Sequence, residues 1–98
     1  MKMINREIID NCFEGEFVIK YIFDSTWTRD KIKALDMMGR LKYYESFPKP
    51  MFQLTCSDGI IIKGVQGTNE CRIIYAYDRQ GEAKTNFEKR LEEIINSF

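Results

Sequence analysis

Two charged residues, Glu45 and Lys63, fall where the surrounding strand pattern asks for apolar ones, and they are the first candidates for chemistry in the chain. Alternation and turn residues predict a row of Glu45, Leu54, Lys63 and Ile73 across neighbouring strands, on the face turned towards the core. A buried ammonium is tolerated only when it is paired. Lys63 in that row would therefore anchor an anionic small molecule, with Glu45, Tyr43 and Tyr75 around it, in a pocket between sheet and helices. The plainer expectation is a sheet margin, where Lys63 snorkels and Glu45 reaches water.

Other chemistries find little support. The chain has no histidine, which removes the commonest general base and the commonest metal ligand together. Cys12, Cys56 and Cys71 are odd in number and form no C-x-x-C pair, so they read as reduced thiols in a cytoplasmic protein. The expected strand positions of Cys56 and Cys71 are two strands apart, roughly 10 Å, which argues against a shared metal ion and for small buried hydrophobes. Ser57-Asp58 lacks a histidine to complete a triad, and Gly64-Val65-Gln66-Gly67 does not match a phosphate loop. No residue is expected to be catalytic, and no cofactor or metal is expected. Tyr43, Tyr44, Tyr75 and Tyr77 beside Arg40, Lys42 and Arg72 have the composition of a single-strand platform. Glu45, Glu70, Asp78 and Glu82 dilute that patch, and strand propensity explains the tyrosines more simply.

The elements that must position these residues follow from periodicity. Met1, Ile4, Ile8, Ile9 and Cys12 recur at helical spacing and predict an N-terminal amphipathic helix. Phe17, Ile19, Tyr21 and Phe23 alternate as one face of a strand. Ser25 and Thr26 offer a cap to a helix from Trp27 to Met38, closed by Gly39 in the left-handed region. Thr85-Asn86-Phe87-Glu88 reads as a capping box, followed by the stripe Phe87, Leu91, Ile94, Ile95 and Phe98 of a C-terminal helix.

Between the last two helices the chain reads as strands. Asp58-Gly59 predicts a two-residue type I′ hairpin pairing Cys56 with Ile61, Leu54 with Lys63 and Phe52 with Val65. Gly67-Thr68-Asn69, with Asn69 left-handed, then predicts Val65 opposite Cys71, Lys63 opposite Ile73 and Ile61 opposite Tyr75. Upstream, Phe47 is expected to pair with Phe52, which brings Leu41, Tyr43 and Glu45 onto the core face. The other face would carry Val18, Ile22, Tyr44, Met51, Ile60, Ile62, Ile74 and Ala76, too apolar to be left in water.

The expected fold is thus α+β in two layers, a mostly antiparallel sheet of four to five strands with helices packed on it, in the order α-β-α-β-β-β-β-α. Its 98 residues make one domain, with 44% hydrophobic and 31% charged residues. Fifteen Lys+Arg against fifteen Asp+Glu leave no formal charge, which gives no footprint for nucleic acid. No apolar run is long enough to span a bilayer, and charges early in the chain do not suit a signal peptide. The functional expectation is a cytoplasmic, non-enzymatic binding module, acting as a homodimer or in an assembly through Tyr44, Met51, Ile60, Ile62 and Ile74. The alternative coverings of that face are the N-terminal helix or a second protein. The alternative function is the anionic-ligand pocket, or a weak enzyme, around Lys63 and Glu45.

Overall fold

In the computed structural model, six strands form one sheet in the order β1-β2-β6-β5-β4-β3, with every neighbouring pair antiparallel. The structure describes residues 1–11, 16–56, 59–76 and 82–96. The strands are β1 (Met3–Asn11), β2 (Glu16–Phe23), β3 (Gly39–Tyr44), β4 (Met51–Cys56), β5 (Ile61–Val65) and β6 (Glu70–Ala76). Helix α1 (Arg29–Ala34) runs into a 3₁₀ turn, Leu35–Met38, and α2 (Glu82–Ile95) follows the last strand. The class is α+β as expected, with six strands in place of four to five and a strand where the first helix was expected.

The N-terminal segment is the largest correction. Its apolar residues recur every three to four positions because β1 carries two register shifts against β2, one extra residue at Ile4 and one at Ile9. Each shift inserts a residue into a period of two and imitates a helix. The segment pairs with β2 at the sheet edge and covers neither face, so Ile4 and Ile8 stay exposed. Cys12, Tyr77 and Phe98 lie outside the described residues.

β2 has the face expected of it, with Ile19, Tyr21 and Phe23 buried. From its end the chain crosses to the far edge of the sheet through α1 and the 3₁₀ turn, and the meander β3 to β6 then brings it back to pair with β2. Thr28, and not Ser25 or Thr26, caps α1, accepting from the Lys31 amide at 3.4 Å. Gly39 is extended, with φ 169°, and opens β3. It is glycine because a Cβ there would stand 2.3 Å from the Thr55 carbonyl oxygen.

Ile19, Tyr21, Phe23, Leu54, Ile62, Ile73 and Tyr75 share one core with Ile32 and Leu35 of the crossover and Phe87, Leu91 and Ile95 of α2. Each fully buried aliphatic side chain contributes ~1.5–3 kcal/mol. Trp27 sits at the hub, edge-on to Phe23 at 5.6 Å and to Phe52 at 4.9 Å. It also fastens the turn after β5: its amide donates to the Thr68 carbonyl, its indole donates to the Glu70 carbonyl, and its own carbonyl accepts from Gly67.

Both hairpin registers differ from expectation by one residue. The Cys56 amide donates to the Ile60 carbonyl, and Gly59, at φ +88°, donates to the Cys56 carbonyl, so three residues lie in the connection instead of two. Leu54 therefore pairs with Ile62 and Phe52 with Gly64. After β5 the left-handed residue is Gly67, not Asn69, and Gly64 pairs with Cys71 and Ile62 with Ile73. The aromatic face of β6 remains in the core because β5 presents Ile62 and Gly64 to it in place of Ile61 and Lys63. In β3 the offset is four residues, Tyr43 pairing with Phe52, so Leu41 and Tyr43 keep the core face and Phe47 leaves the strand.

Candidate functional site

The corrected register assembles a row of charge across the sheet on the face opposite the helices. Glu7 of β1 stands opposite Lys20, Lys20 opposite Arg72, Arg72 opposite Lys63, Lys63 opposite Gln53, and Gln53 opposite Lys42. All six strands contribute, and four of the six side chains are cations. Arg40 lies two residues before Lys42 on the same side of β3, exposed like it. Of the acids, Glu70 is in the next row and Glu7 ends the row on β1.

Lys20 is neutralised by Glu70, with Nζ to Oε2 at 3.1 Å. Among the described residues, Lys42, Lys63 and Arg72 have no carboxylate within 4.0 Å. Like charges directly opposite on a sheet are destabilising by a few tenths to about 1 kcal/mol. Lys63 facing Arg72 is such a pair. The fold does not require either cation, since both are on the solvent side of their strands.

Beside the cations the face is hollowed. A depression of about 440 Å³ is lined by Tyr44, Met51, Gln53, Lys63, Val65, Thr68, Glu70 and Arg72, within the size range of small-molecule sites. Tyr44 and Met51 are nearly half exposed there, at 44% and 47%. The Tyr44 ring is stacked on Phe47, 5.8 Å between centroids and 11° from parallel. Beneath the depression, Gly64 turns towards the core, and its missing side chain is replaced by the Phe52 ring, whose Cζ would lie 2.5 Å from a Cβ.

A second polar cluster lies on the helix side. The Tyr21 hydroxyl donates to Glu88 Oε2 at 2.6 Å and shares a hydrogen bond of 2.7 Å with the Tyr75 hydroxyl. Arg6 closes the cluster from β1, its Nε and Nη2 donating to the two oxygens of Glu88 at 2.8 and 3.3 Å. Burial raises both tyrosine pKa values, and the carboxylate beside them adds to the effect. Paired on all sides, this cluster binds β1, β2 and β6 to α2 and leaves no buried donor or acceptor for a substrate. Glu88 is not the partner of a capping box, because α2 begins three residues before Thr85. Its position three and seven residues before Leu91 and Ile95 was the available signal that it shares their inward face.

The structure does not bring the residues of the expected pocket together. Lys63 is exposed on the open face. Glu45 lies beyond the end of β3 and pairs at 3.1 Å with Arg29, the first residue of α1. The Tyr43 hydroxyl donates to the Gln66 side chain at the core margin, and Tyr75 is fully buried beside Tyr21. Of the expected interface residues, Ile60 and Ile62 are fully buried in the core, and Tyr44, Met51 and the half-buried Ile74 remain on the open face. Lys20 and Gln53 were not anticipated, because their place depends on pairings that strand alternation does not reveal. Cys56 and Cys71 are buried, and burial pushes the Cys71 thiol pKa up. Among the described residues, no three potential metal ligands cluster, and no helix is long and apolar enough to cross a membrane. Comparison with known proteins gave no match to a family model, to a curated protein or to a solved structure.

Proposed function

We propose that this protein is a binding module whose open sheet face receives an anionic partner along the Lys42, Gln53, Lys63, Arg72 and Lys20 row. One observation carries the reading. Lys63 and Arg72 face each other directly without a carboxylate to neutralise them, an arrangement that costs stability and serves no packing need. An anion lying over the row would remove the repulsion. The same feature speaks against a homodimer formed sheet to sheet through this face, since a two-fold axis there would bring cations near cations. Ile60 and Ile62 are in any case committed to the core, so the apolar surface left to such a dimer is small.

The test is calorimetric titration with inorganic polyphosphate at several salt concentrations. The expected result is binding that weakens as salt rises, is reduced about tenfold or more by Lys63→Glu or Arg72→Glu, and is unaffected by Lys89→Glu on α2. No binding at low salt, or equal loss from all three variants, would overturn the proposal. Sedimentation equilibrium of the same samples adds a second check: a dimer dissociated by Tyr44→Glu would assign the face to self-association instead.

A further inference from the structure

We infer that the anion is the backbone of a single-stranded nucleic acid, crossing the strands along the cationic row with a base lodged in the depression against Tyr44 and Met51. This rests on the anion-binding reading above and specifies its occupant.

The geometry of the row sets the size of the partner. From β3 to β2 the cations lie over four strand intervals, about 19 Å at the usual spacing of about 4.8 Å. A lone phosphate or a short phosphorylated metabolite would engage one end and leave the rest unneutralised. A linear polyanion running perpendicular to the strands meets Lys42, Lys63 and Arg72, which lack a carboxylate partner among the described residues, and ends at Lys20, which Glu70 already pairs.

The groups beside the row separate nucleic acid from other polyanions. Tyr44 is on the same side of β3 as Lys42, two residues on, which places a half-exposed aromatic ring next to the first cation. Base stacking on such a ring is the common means by which proteins hold single strands without regard to sequence. Gln53 lies mid-row, between Lys42 and Lys63, where its amide offers a donor and an acceptor to a base edge. An acidic peptide has no use for the aromatic end. It would also be expected to add to a sheet edge, where backbone groups are free, and not to lie across a face whose backbone groups are already paired.

A duplex would meet this face only at its phosphates, not at its bases. Six strands make a face about 24 Å wide, whereas the major groove admits an element of about 12 Å. The zero net charge does not oppose the inference, because a polyanion meets the local balance of the open face. There Glu70 pairs with Lys20 and Glu7 ends the row on β1, while Lys42, Lys63 and Arg72 have no carboxylate within 4.0 Å among the described residues.

The experiment is fluorescence anisotropy with labelled DNA and RNA single strands of about ten nucleotides, within the usual site sizes. An abasic strand of equal length, the corresponding duplex, polyphosphate and polyglutamate serve as competitors. The intact single strand is expected to bind more tightly than the abasic strand and the duplex. Tyr44→Ala should weaken the intact strand about tenfold or more while leaving polyphosphate unchanged, and Lys63→Glu should weaken both. Tyr44 is at the surface, and circular dichroism of the variant is the check that it folds. Equal affinity for intact and abasic strands, or indifference to Tyr44→Ala, would overturn this inference while the anion-binding reading survives on the polyphosphate result. Tighter competition by polyglutamate would overturn it in favour of an acidic protein. If neither strand nor polyphosphate binds, both readings fall.

Discussion

The Tyr21 hydroxyl donates to Glu88 Oε2 over 2.6 Å, joining a central strand to the C-terminal helix inside the core. With that donor removed, the nearly buried carboxylate keeps Arg6 and loses its shortest hydrogen bond. Tyr21→Phe is therefore expected to cost ~1–3 kcal/mol, measured by urea denaturation. A change within the error of the measurement would mean that Arg6 alone satisfies Glu88.

The same cluster sets the alkaline limit of the fold. Burial raises the pKa of Tyr21 and Tyr75 above the ordinary value of 10.0. An unfolded chain loses these protons near pH 10 while the folded one retains them, so the unfolded state binds fewer protons. The stabilisation is full below that pH and is lost as pH rises above it, by about 1.4 kcal/mol per pH unit for each tyrosine. Chemical denaturation between about pH 9 and pH 12 should show this slope, reduced by one group in Tyr21→Phe. An unchanged slope in that variant would show that Tyr21 is not the titrating group.

Gly64 and Gly39 are both crowded, and substitutions there should differ in a way that identifies the obstacle. An alanine Cβ at 64 meets the tip of the Phe52 ring at 2.5 Å, whereas at 39 it meets the backbone oxygen of Thr55 at 2.3 Å. Gly64→Ala is expected to destabilise by ~1–3 kcal/mol and to be partly rescued by Phe52→Leu. Gly39→Ala should cost more and resist rescue, because β4 itself would have to move. Thermal denaturation of the four proteins tests this, and equal rescue at both positions would contradict it.

Lys63 and Arg72 should show opposite effects on stability and on binding. Lys63→Glu is expected to stabilise the free protein by ~0.2–1 kcal/mol at low salt, since it turns a repulsive cross-strand pair into an attractive one. The gain should shrink as salt screens it. Loss of stability in this variant, measured by the same denaturation, would show that Lys63 has a structural role.

Much of the fold was legible in the sequence where a single period was undisturbed. The inward set of β2, the aromatic face of β6 and the stripe of α2 from Phe87 to Ile95 are direct consequences of burying alternate or every third and fourth residues. β1 was not legible, because two extra residues at Ile4 and Ile9 make a bulged edge strand resemble a helix. Glu88 was misread because its sequence context suits a cap equally well. The candidate site was legible in composition, with Tyr44, Lys42, Arg40 and Arg72 visible as a patch, but not in arrangement.

What the sequence determined by itself was the α+β class, the strand segments after Gly39, the apolar set from which the core is drawn, and the lack of histidine chemistry. Tertiary structure decided which face Lys63 occupies. The reason is that strand pairing is set by the number of residues in a turn, and one additional residue between Cys56 and Ile60 moves every side chain of β5 to the opposite side. Ile60 and Ile62 thereby enter the core, and Lys63 comes to stand opposite Arg72. The charge row is formed by pairings between strands distant in sequence, Lys20 with Arg72 above all, and such partners are chosen only when the chain has crossed the sheet and returned.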